Sequence, residues 1–241
     1  MRYKILTCGE GAVTVEFSRK INSRAGAAAI SLAGQLRQQN AAGICEIIPT
    51  YRSVTLCYDP LKISYKELKR LIASCVRHPR AAAQDEESVR RFYIPVCYGG
   101  PFGPDLEYLA QRSGLDPREV VRRHISREYP INMIGFLPGF PYLSGMDASI
   151  AAPRLENPRE KIPAGSVGIG GNQTGIYPIA SPGGWRLIGR TPVRLYDPHR
   201  DPPVLYRAGD RIRFYPVSEQ EYREIEAAVS AGTYAVRTEA V

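Results

Sequence analysis

Eight polar or aromatic side chains in the second half of the sequence are candidates for a functional site. They combine hydroxyl, amide, imidazole and guanidinium groups, which on rigid backbone suit recognition of a small polar ligand. No pair of acidic residues among their neighbours suggests general acid–base catalysis. The candidates are His124, Ser166, Gln173, Thr174, Tyr177, Ser181, Trp185 and Arg190.

Each candidate also has a structural interpretation. His124 follows two valines at helical spacing, as a hydrogen-bonded core histidine does. The serines and the threonine flank glycines or a proline, where such side chains often bond their own backbone in turns. Tyr177 and Trp185 are also typical core anchors. Arg154 and Arg159 stand beside prolines and are interpreted as surface charges.

Several motifs with well-known chemistry are missing from the sequence. Residues 168–173 (GIGGNQ) have glutamine where the dinucleotide fingerprint needs a third glycine, and they lead into a strand-like segment. Residues 165–168 (GSVG) do not form the GxSxG motif of serine hydrolases, and no GxxxxGK[ST] occurs. The five cysteines are widely spaced without a CxxC, and the three histidines are scattered, so no metal site is expected.

All candidates except His124 lie in one stretch, 135–192, which holds eleven of the 22 glycines and eight of the 20 prolines. This composition excludes a set of helices, because proline removes a backbone donor and glycine serves sharp turns and close approaches. The apolar residues between them, Phe136, Phe140 and Trp185 among others, require burial. The stretch therefore predicts tightly wound β structure with rigid loops.

The net charge of +8 leaves three interpretations open: a solvated surface, an anionic partner or ligand, and nucleic acid. The densest basic cluster lies on one predicted helix, and no nucleic-acid-binding motif accompanies it. Its members are Arg118, Arg122, Arg123 and Arg127.

The expected location is the cytoplasm. No apolar run is long enough to span a membrane, and the N-terminus alternates like a strand rather than a signal peptide. Cys8, Cys57 and Cys97 lie in strand-like runs and are expected to be small buried hydrophobes in a reducing compartment.

The pattern of elements predicts two domains, 1–85 and 90–241, joined by a small and charged segment, 80–90. The first is predicted as a compact α+β unit of order ββαββα, with strands 3–8, 12–17, 46–50 and 54–58, a helix 22–39, and a helix from the capping box Ser64–Glu67 to His78–Pro79. The second is predicted to have strands at 91–98 and 211–215, helices at 105–112, 117–127 and from Ser218, and short strands up to Arg194–Asp197. The helix at 117 is expected to begin with a capping box of Asp116 and Glu119.

Long segments of the second domain resemble one family. These are GFLPGFPYL (135–143), PR..NPR..IPAGSVGIGG.QTGIYP (153–178) and SPGGWRLIGRTP (181–192), with IPVCYGG (94–100) before them. They resemble the family of KipI and of PxpB, the 5-oxoprolinase component also called allophanate hydrolase subunit 1. The resemblance is strong over about 91–215 and departs from the pattern at Arg127-Glu128. It implies an α+β N-terminal domain followed by a mainly-β cyclophilin-like barrel.

The resemblance also implies a function. Family members act with a PxpC-like or KipA-like barrel subunit and a PxpA-like subunit in ATP-dependent cleavage of 5-oxo-L-proline to L-glutamate. ATP, with magnesium expected, is then used by the complex, and no cofactor is bound covalently. The alternative is a KipI-type inhibitor of a sporulation histidine kinase, and a third possibility is action on urea-derived carboxylates.

On the first interpretation, the candidates divide into two groups. His124, Ser166 and Thr174 are assigned catalytic roles, with His124 assisting proton transfer. The substrate-binding group orients the ligand and balances its charge, and consists of Gln173, Tyr177, Ser181, Trp185 and Arg190.

Overall fold

The computed structural model describes residues 2–77 and 89–241. By its internal contacts the chain separates into two compact units, Met1–Ser88 and Val89–Val241. The predicted connecting segment, 80–90, lies outside the described residues apart from Val89 and Arg90, and so does the predicted helix end at His78–Pro79.

The first unit is a four-stranded antiparallel sheet with two helices. Its elements are β1 (Lys4–Thr7), β2 (Ala12–Glu16), α1 (Ser23–Gln39), β3 (Ile44–Pro49), β4 (Ser53–Tyr58) and α2 (Tyr65–Arg77). The strand order is β1-β2-β4-β3. Alternate residues of the central strands, such as Val13 and Leu56, are fully buried, because successive side chains of a strand point to opposite faces. They pack with the apolar sides of both helices in one core.

Side-chain caps set the starts of these helices. The side chain of Asn22 accepts the N–H of Ala25 at 2.9 Å. The predicted capping box is confirmed, since Glu67 accepts the N–H of Ser64 at 2.9 Å and Ser64 accepts the N–H of Glu67 at 3.3 Å. The expectation that Cys8 is buried is wrong, because the edge strand β1 ends one residue earlier and leaves the thiol exposed.

The second unit is mainly β. Its helices are α3 (Leu106–Ser113), α4 (Pro117–Ile125) and α5 (Glu219–Ser230), with a short 3₁₀ turn at Ala148–Ile150. Its strands are β5 (Arg90–Tyr98), β6 (Glu128–Ile134), β7 (Pro141–Leu143), β8 (Arg159–Ile162), β9 (Ser166–Gly170), β10 (Gln173–Ile176), β11 (Ser181–Gly183), β12 (Arg186–Arg190), β13 (Arg211–Pro216) and β14 (Thr238–Ala240).

These strands form a nearly closed, barrel-like sheet. The hydrogen-bonded order is β10-β9-β12-β5-β13-β6-β7, with β14 also paired to β5. All pairs are antiparallel except β5 with β13. The two ends of this path approach each other: a Cβ added to Gly175 of β10 would lie 3.1 Å from the carbonyl oxygen of Pro141 in β7. A separate ribbon consists of β8 and β11.

The interior of the barrel is filled by β-branched and aromatic side chains from strands around its wall, with α3 and α4 packed on the same core. Fully buried members include Ile94, Ile131, Val167, Ile169, Ile176, Ile188 and Ile212. This core fixes which face of each strand points inward, and the candidate residues divide accordingly.

Three local predictions in this unit need correction. The segment Arg194–Asp197 is not a strand and contributes a single bridge, Tyr196 with Val204. Asp116 caps α4 as predicted, but Glu119 pairs with Arg122 and Arg123 instead of closing a capping box. These pairs also neutralise part of the basic cluster. The strands β6 and β14 were not predicted.

The capping box predicted at Ser218 is confirmed, with the carboxylate of Glu221 accepting the backbone N–H of Ser218 at 2.7 Å. Across the described ranges, 2–77 and 89–241, no helix is both long enough and apolar enough to cross a membrane.

Candidate functional site

The pairing of β9 with β10 separates neighbouring candidates onto opposite faces of the barrel wall. Thr174 lies opposite Ile169, whose side chain is in the barrel core. Gln173 lies opposite Gly170, on the other face. Because side chains alternate along a strand, adjacent candidates in the sequence do not share one site.

On the inner face, His124 and Thr174 meet although 50 residues separate them. The His124 Nε2 atom lies 2.9 Å from Thr174 Oγ1, and Nδ1 lies 2.8 Å from the Tyr98 hydroxyl. The Thr174 hydroxyl donates to the Gly168 carbonyl oxygen at 3.1 Å, so its oxygen is the acceptor for His124 Nε2–H. Nδ1 is therefore unprotonated and accepts the hydroxyl proton of Tyr98. Every polar atom of the imidazole is satisfied when the ring is neutral.

Burial reinforces this neutral state. The ring of His124 is enclosed and stacks on Phe214 at 4.7 Å between ring centroids. Loss of hydration in this apolar setting lowers the pKa of His124 from 6.5 to about 3. Burial also raises the pKa of Tyr98, so its hydroxyl keeps the proton that it donates. At neutral pH this imidazole is a hydrogen-bonded link between α4 and β10 and not a proton acceptor.

The three residues assigned catalytic roles present almost no surface. His124 and Thr174 are 0% exposed and Ser166 is 1% exposed. Ser166 belongs to β9 and lies opposite Arg190 of β12. A ligand can touch these side chains only if the surrounding structure moves, and their catalytic assignment stays a prediction.

On the outer face, glycines of β9 and β10 form a surface without side chains, and Trp185 covers it. An added Cβ would lie 2.6 Å from Trp185 Nε1 at Gly170, 3.1 Å from Trp185 Cζ3 at Gly175, and 3.2 Å from Trp185 Cβ at Gly168. Such distances leave no room for a methyl group. The glycine pattern of 168–175 is therefore explained by close packing of an indole ring, and not by a phosphate loop.

Trp185 belongs to a second, smaller core that we call the outer aromatic cluster, formed by Phe140, Ile162, Tyr177, Trp185 and Leu187. Phe140 makes edge-to-face contacts with both Tyr177 and Trp185, at centroid distances of 5.3 and 5.5 Å. Burial raises the pKa of Tyr177, while the backbone of Trp185 and the charge of Arg154 act in the opposite direction. Tyr177 therefore carries a neutral hydroxyl at the edge of this cluster.

The ribbon of β8 and β11 adds Ser181 and Arg159 beside the outer aromatic cluster. Ser181 pairs with Ile162 of the cluster, and Gly183 pairs with Arg159. The Ser181 hydroxyl donates to the carbonyl of the next residue at 3.2 Å, as a turn residue does. Arg190 Nε donates to the Ala164 carbonyl at 3.0 Å. The substrate-binding assignments of Ser181 and Arg190 stay predictions.

A cationic group near the outer aromatic cluster was missed by sequence reasoning. The Asp105 carboxylate accepts Arg159 Nη2 at 3.0 Å and the Leu187 N–H at 2.7 Å, and lies 3.8 Å from Arg186 Nη1. The Arg154 guanidinium lies 5.9 Å from the centre of the Trp185 ring. The only sequence signal was the position of Arg154 and Arg159 beside prolines, which was interpreted as surface charge.

The expectation that Phe136 is buried is also wrong. Its ring is 72% exposed, and its backbone has φ of +69°, a left-handed conformation unusual for a bulky residue. It stands at the turn between β6 and β7, with its ring 6.1 Å from that of Phe140. The glycine- and proline-rich loop thus holds an aromatic ring in solvent beside the cluster.

Comparison with known proteins identifies the family. A family model described as "Carboxyltransferase domain, subdomain C and D" matches residues 3–206. The PxpB component of the Bacillus subtilis 5-oxoprolinase is 45% identical over 92% of this chain and 96% of its own length. The chain belongs to the PxpB family of 5-oxoprolinase components. The family assignment made from the sequence motifs is thereby confirmed.

Other relatives agree with membership of the PxpB family. The corresponding 5-oxoprolinase component of Escherichia coli O157:H7 is 40% identical over 90% of this chain and 98% of its own length. The crystal structure of TTHA0988 superposes on 87% of this chain with a TM-score of 0.76 and 35% identity. This chain spans only 40% of TTHA0988, which is therefore a much longer protein.

Proposed function

We propose that this chain is the PxpB component of a 5-oxoprolinase, acting with a PxpC-like and a PxpA-like subunit in the ATP-dependent cleavage of 5-oxo-L-proline to L-glutamate. The observation that carries the proposal is similarity over nearly the whole length of two bacterial proteins that are named as this component of 5-oxoprolinase. We further propose that the barrel-like sheet of the second unit is of the cyclophilin-like type.

The chemistry asks for groups that polarise and orient a small cyclic amide. Amide resonance resists attack by water on the lactam carbonyl, and transfer of a phosphoryl group from ATP to the amide oxygen makes that carbon electrophilic. Catalysis of such a transfer depends mainly on positioning and on positive charge around the phosphate oxygens. The outer aromatic cluster, with the half-buried Gln173 and the arginines at 154, 159 and 186, supplies an apolar surface, an amide and cations.

The inner residues then have a positioning role. Thr174 follows Gln173 directly in β10, and its bonds to His124 and to Gly168 hold that strand against β9 and α4. The neutral imidazole inside the barrel keeps the outer face in register. We assign ligand contact to Gln173, Tyr177 and Trp185, with Ser166, Ser181 and Arg190 next to them.

The titration of the candidate residues supports a role for a partner subunit. The imidazole of His124 has a pKa of about 3, and burial raises the pKa of Tyr177, so neither acts as a general base near neutral pH. We propose that the proton acceptor comes from another subunit and that magnesium arrives with the ATP phosphates. In the described ranges no group of three His, Cys, Asp or Glu side chains is arranged to hold a metal ion.

Reconstitution tests the proposal. The purified chain is mixed with its PxpC-like and PxpA-like partners, 5-oxo-L-proline, ATP and Mg²⁺, and both L-glutamate and ADP are measured. We expect both products only when all three proteins are present. Folded, mutually associated subunits that release neither product from 5-oxo-L-proline would refute the proposal. Inhibition of a histidine kinase stays a prediction, tested by adding the chain to an autophosphorylation assay.

A further inference from the structure

Arg159 has an unpaired donor in a buried position. One terminal nitrogen, Nη2, is bonded to Asp105, whereas the other, Nη1, is inaccessible to solvent and has no acceptor among the described residues. A buried donor without a partner costs about 1–3 kcal/mol. Few such groups occur in folded proteins, and each one calls for an explanation such as a ligand oxygen.

The cations around this donor outnumber the carboxylate that they contact. Asp105 forms ion pairs with both Arg159 and Arg186, and it also accepts a backbone N–H. Arg154 adds another cation, which lies over Trp185 and whose charge lowers the pKa of Tyr177, as that of Arg159 also does. The guanidinium groups therefore bring more positive charge than Asp105 alone neutralises.

The surroundings limit the size and shape of an anion. The guanidinium of Arg186 is held over the ring of Tyr108 at 3.8 Å, and its Nε donates to a backbone carbonyl at 3.4 Å. Gly183, which pairs with Arg159, has no space for a side chain, because an added Cβ would lie 2.6 Å from the Tyr177 hydroxyl. The arginines are thus braced next to the outer aromatic cluster.

We propose that Arg159, together with Arg154 and Arg186, binds the oxyanion group of a small ligand, a carboxylate or a phosphoryl group, beside Trp185. A guanidinium suits either group because its donors form a planar fork that matches two oxygens. The choice between the carboxylate of 5-oxo-L-proline and a phosphate of ATP rests on the proposed function. The anion site itself follows from the arginine cluster.

Trp185 provides a direct readout, because it is the single tryptophan of the chain. Its emission is recorded while inorganic phosphate or 5-oxo-L-proline is added, each at constant ionic strength. We expect a saturable change with at least one of them for the native chain. No saturable change with either probe overturns the inference.

Two variants and a matched control test the residues. Arg159→Gln and Arg154→Gln each remove one charge and are expected to weaken binding about tenfold or more, as for the loss of a charged hydrogen bond. Arg118→Gln removes the same charge from an exposed position on α4 and is expected to bind as the native chain does. Equal affinities for all these proteins overturn the inference. Arg154 is exposed, so its variant carries the test if Arg159→Gln does not fold.

The reconstituted enzyme separates this inference from the proposed function. If native complexes release L-glutamate, Arg159→Gln is expected to raise the KM for one substrate, either 5-oxo-L-proline or ATP, more than it lowers kcat. An active complex with unchanged binding and KM in that variant rejects the anion site and keeps the function. Saturable, Arg159-dependent binding in an inactive complex rejects the function and keeps the anion site.

Discussion

Lowering the pH from 7 to 5 should destabilise the second unit through one side chain, His124. In the folded chain its pKa is about 3, whereas in the unfolded chain it returns to about 6.5. Between these values the unfolded state binds a proton that the folded state refuses. The free energy of unfolding therefore decreases as the pH falls through 6.5, and the loss continues toward pH 3.

The size of the effect follows from the two pKa values. Each pH unit between them changes the free energy of unfolding by about 1.4 kcal/mol. From pH 7 to pH 5 the loss is about 2 kcal/mol, since the proton is taken up only below about 6.5. The pKa values of Glu119 and Glu239 are lowered to about 2 by hydrogen bonds, to Arg122 and Tyr93 first of all, and their effects begin only below 4.5. The window from pH 7 to pH 5 therefore isolates the histidine.

Urea unfolding followed by Trp185 emission measures this loss, because Trp185 lies in the same unit as His124. His124→Gln removes the titrating group and is expected to lose about 2 kcal/mol less than the native chain between pH 7 and pH 5. His199→Gln, at an exposed position, is the matched control and should keep the native pH dependence. Parallel pH dependence in His124→Gln and the native chain would refute the assignment of a buried, neutral imidazole.

Three further predictions concern the same unit. Gly170→Ala places a methyl group 2.6 Å from Trp185 Nε1 and should cost about 1–3 kcal/mol with a red-shifted tryptophan emission; Gly171→Ala meets no neighbour within 4 Å but has φ of +63°, so it should cost about 1 kcal/mol and leave the emission unchanged. Equal spectra for the two variants would contradict this packing. Tyr98→Phe removes the donor to His124 Nδ1 and should cost about 1–3 kcal/mol in urea unfolding, and a loss of only a few tenths would mean that this bond is not formed. Because Trp185 is 5% exposed, acrylamide should quench its emission weakly in the native chain and more strongly in Gly170→Ala; strong quenching of the native chain would show an accessible ring.

Much of the local structure could be predicted because its causes are local. The capping boxes at Ser64 and Ser218 depend on residues three apart, and both are formed. The inward side of α4 followed from helical spacing, and His124 is buried there as one structural interpretation held. The prediction failed where a competing partner stood nearby, as for Glu119, whose carboxylate bonds arginines on its own helix.

The sequence by itself determined the composition of the turn-rich stretch, the positions of most elements and the family, because these depend on spacing along the chain. Only the tertiary structure decided that Gln173 and Thr174 face opposite sides of the barrel wall, since that depends on which face the core covers. It also brought Thr174 to His124 across 50 residues and Arg159 to Asp105 across 54. Such contacts arise when the sheet closes, because strands remote in sequence then become neighbours, and no periodicity within one strand specifies them.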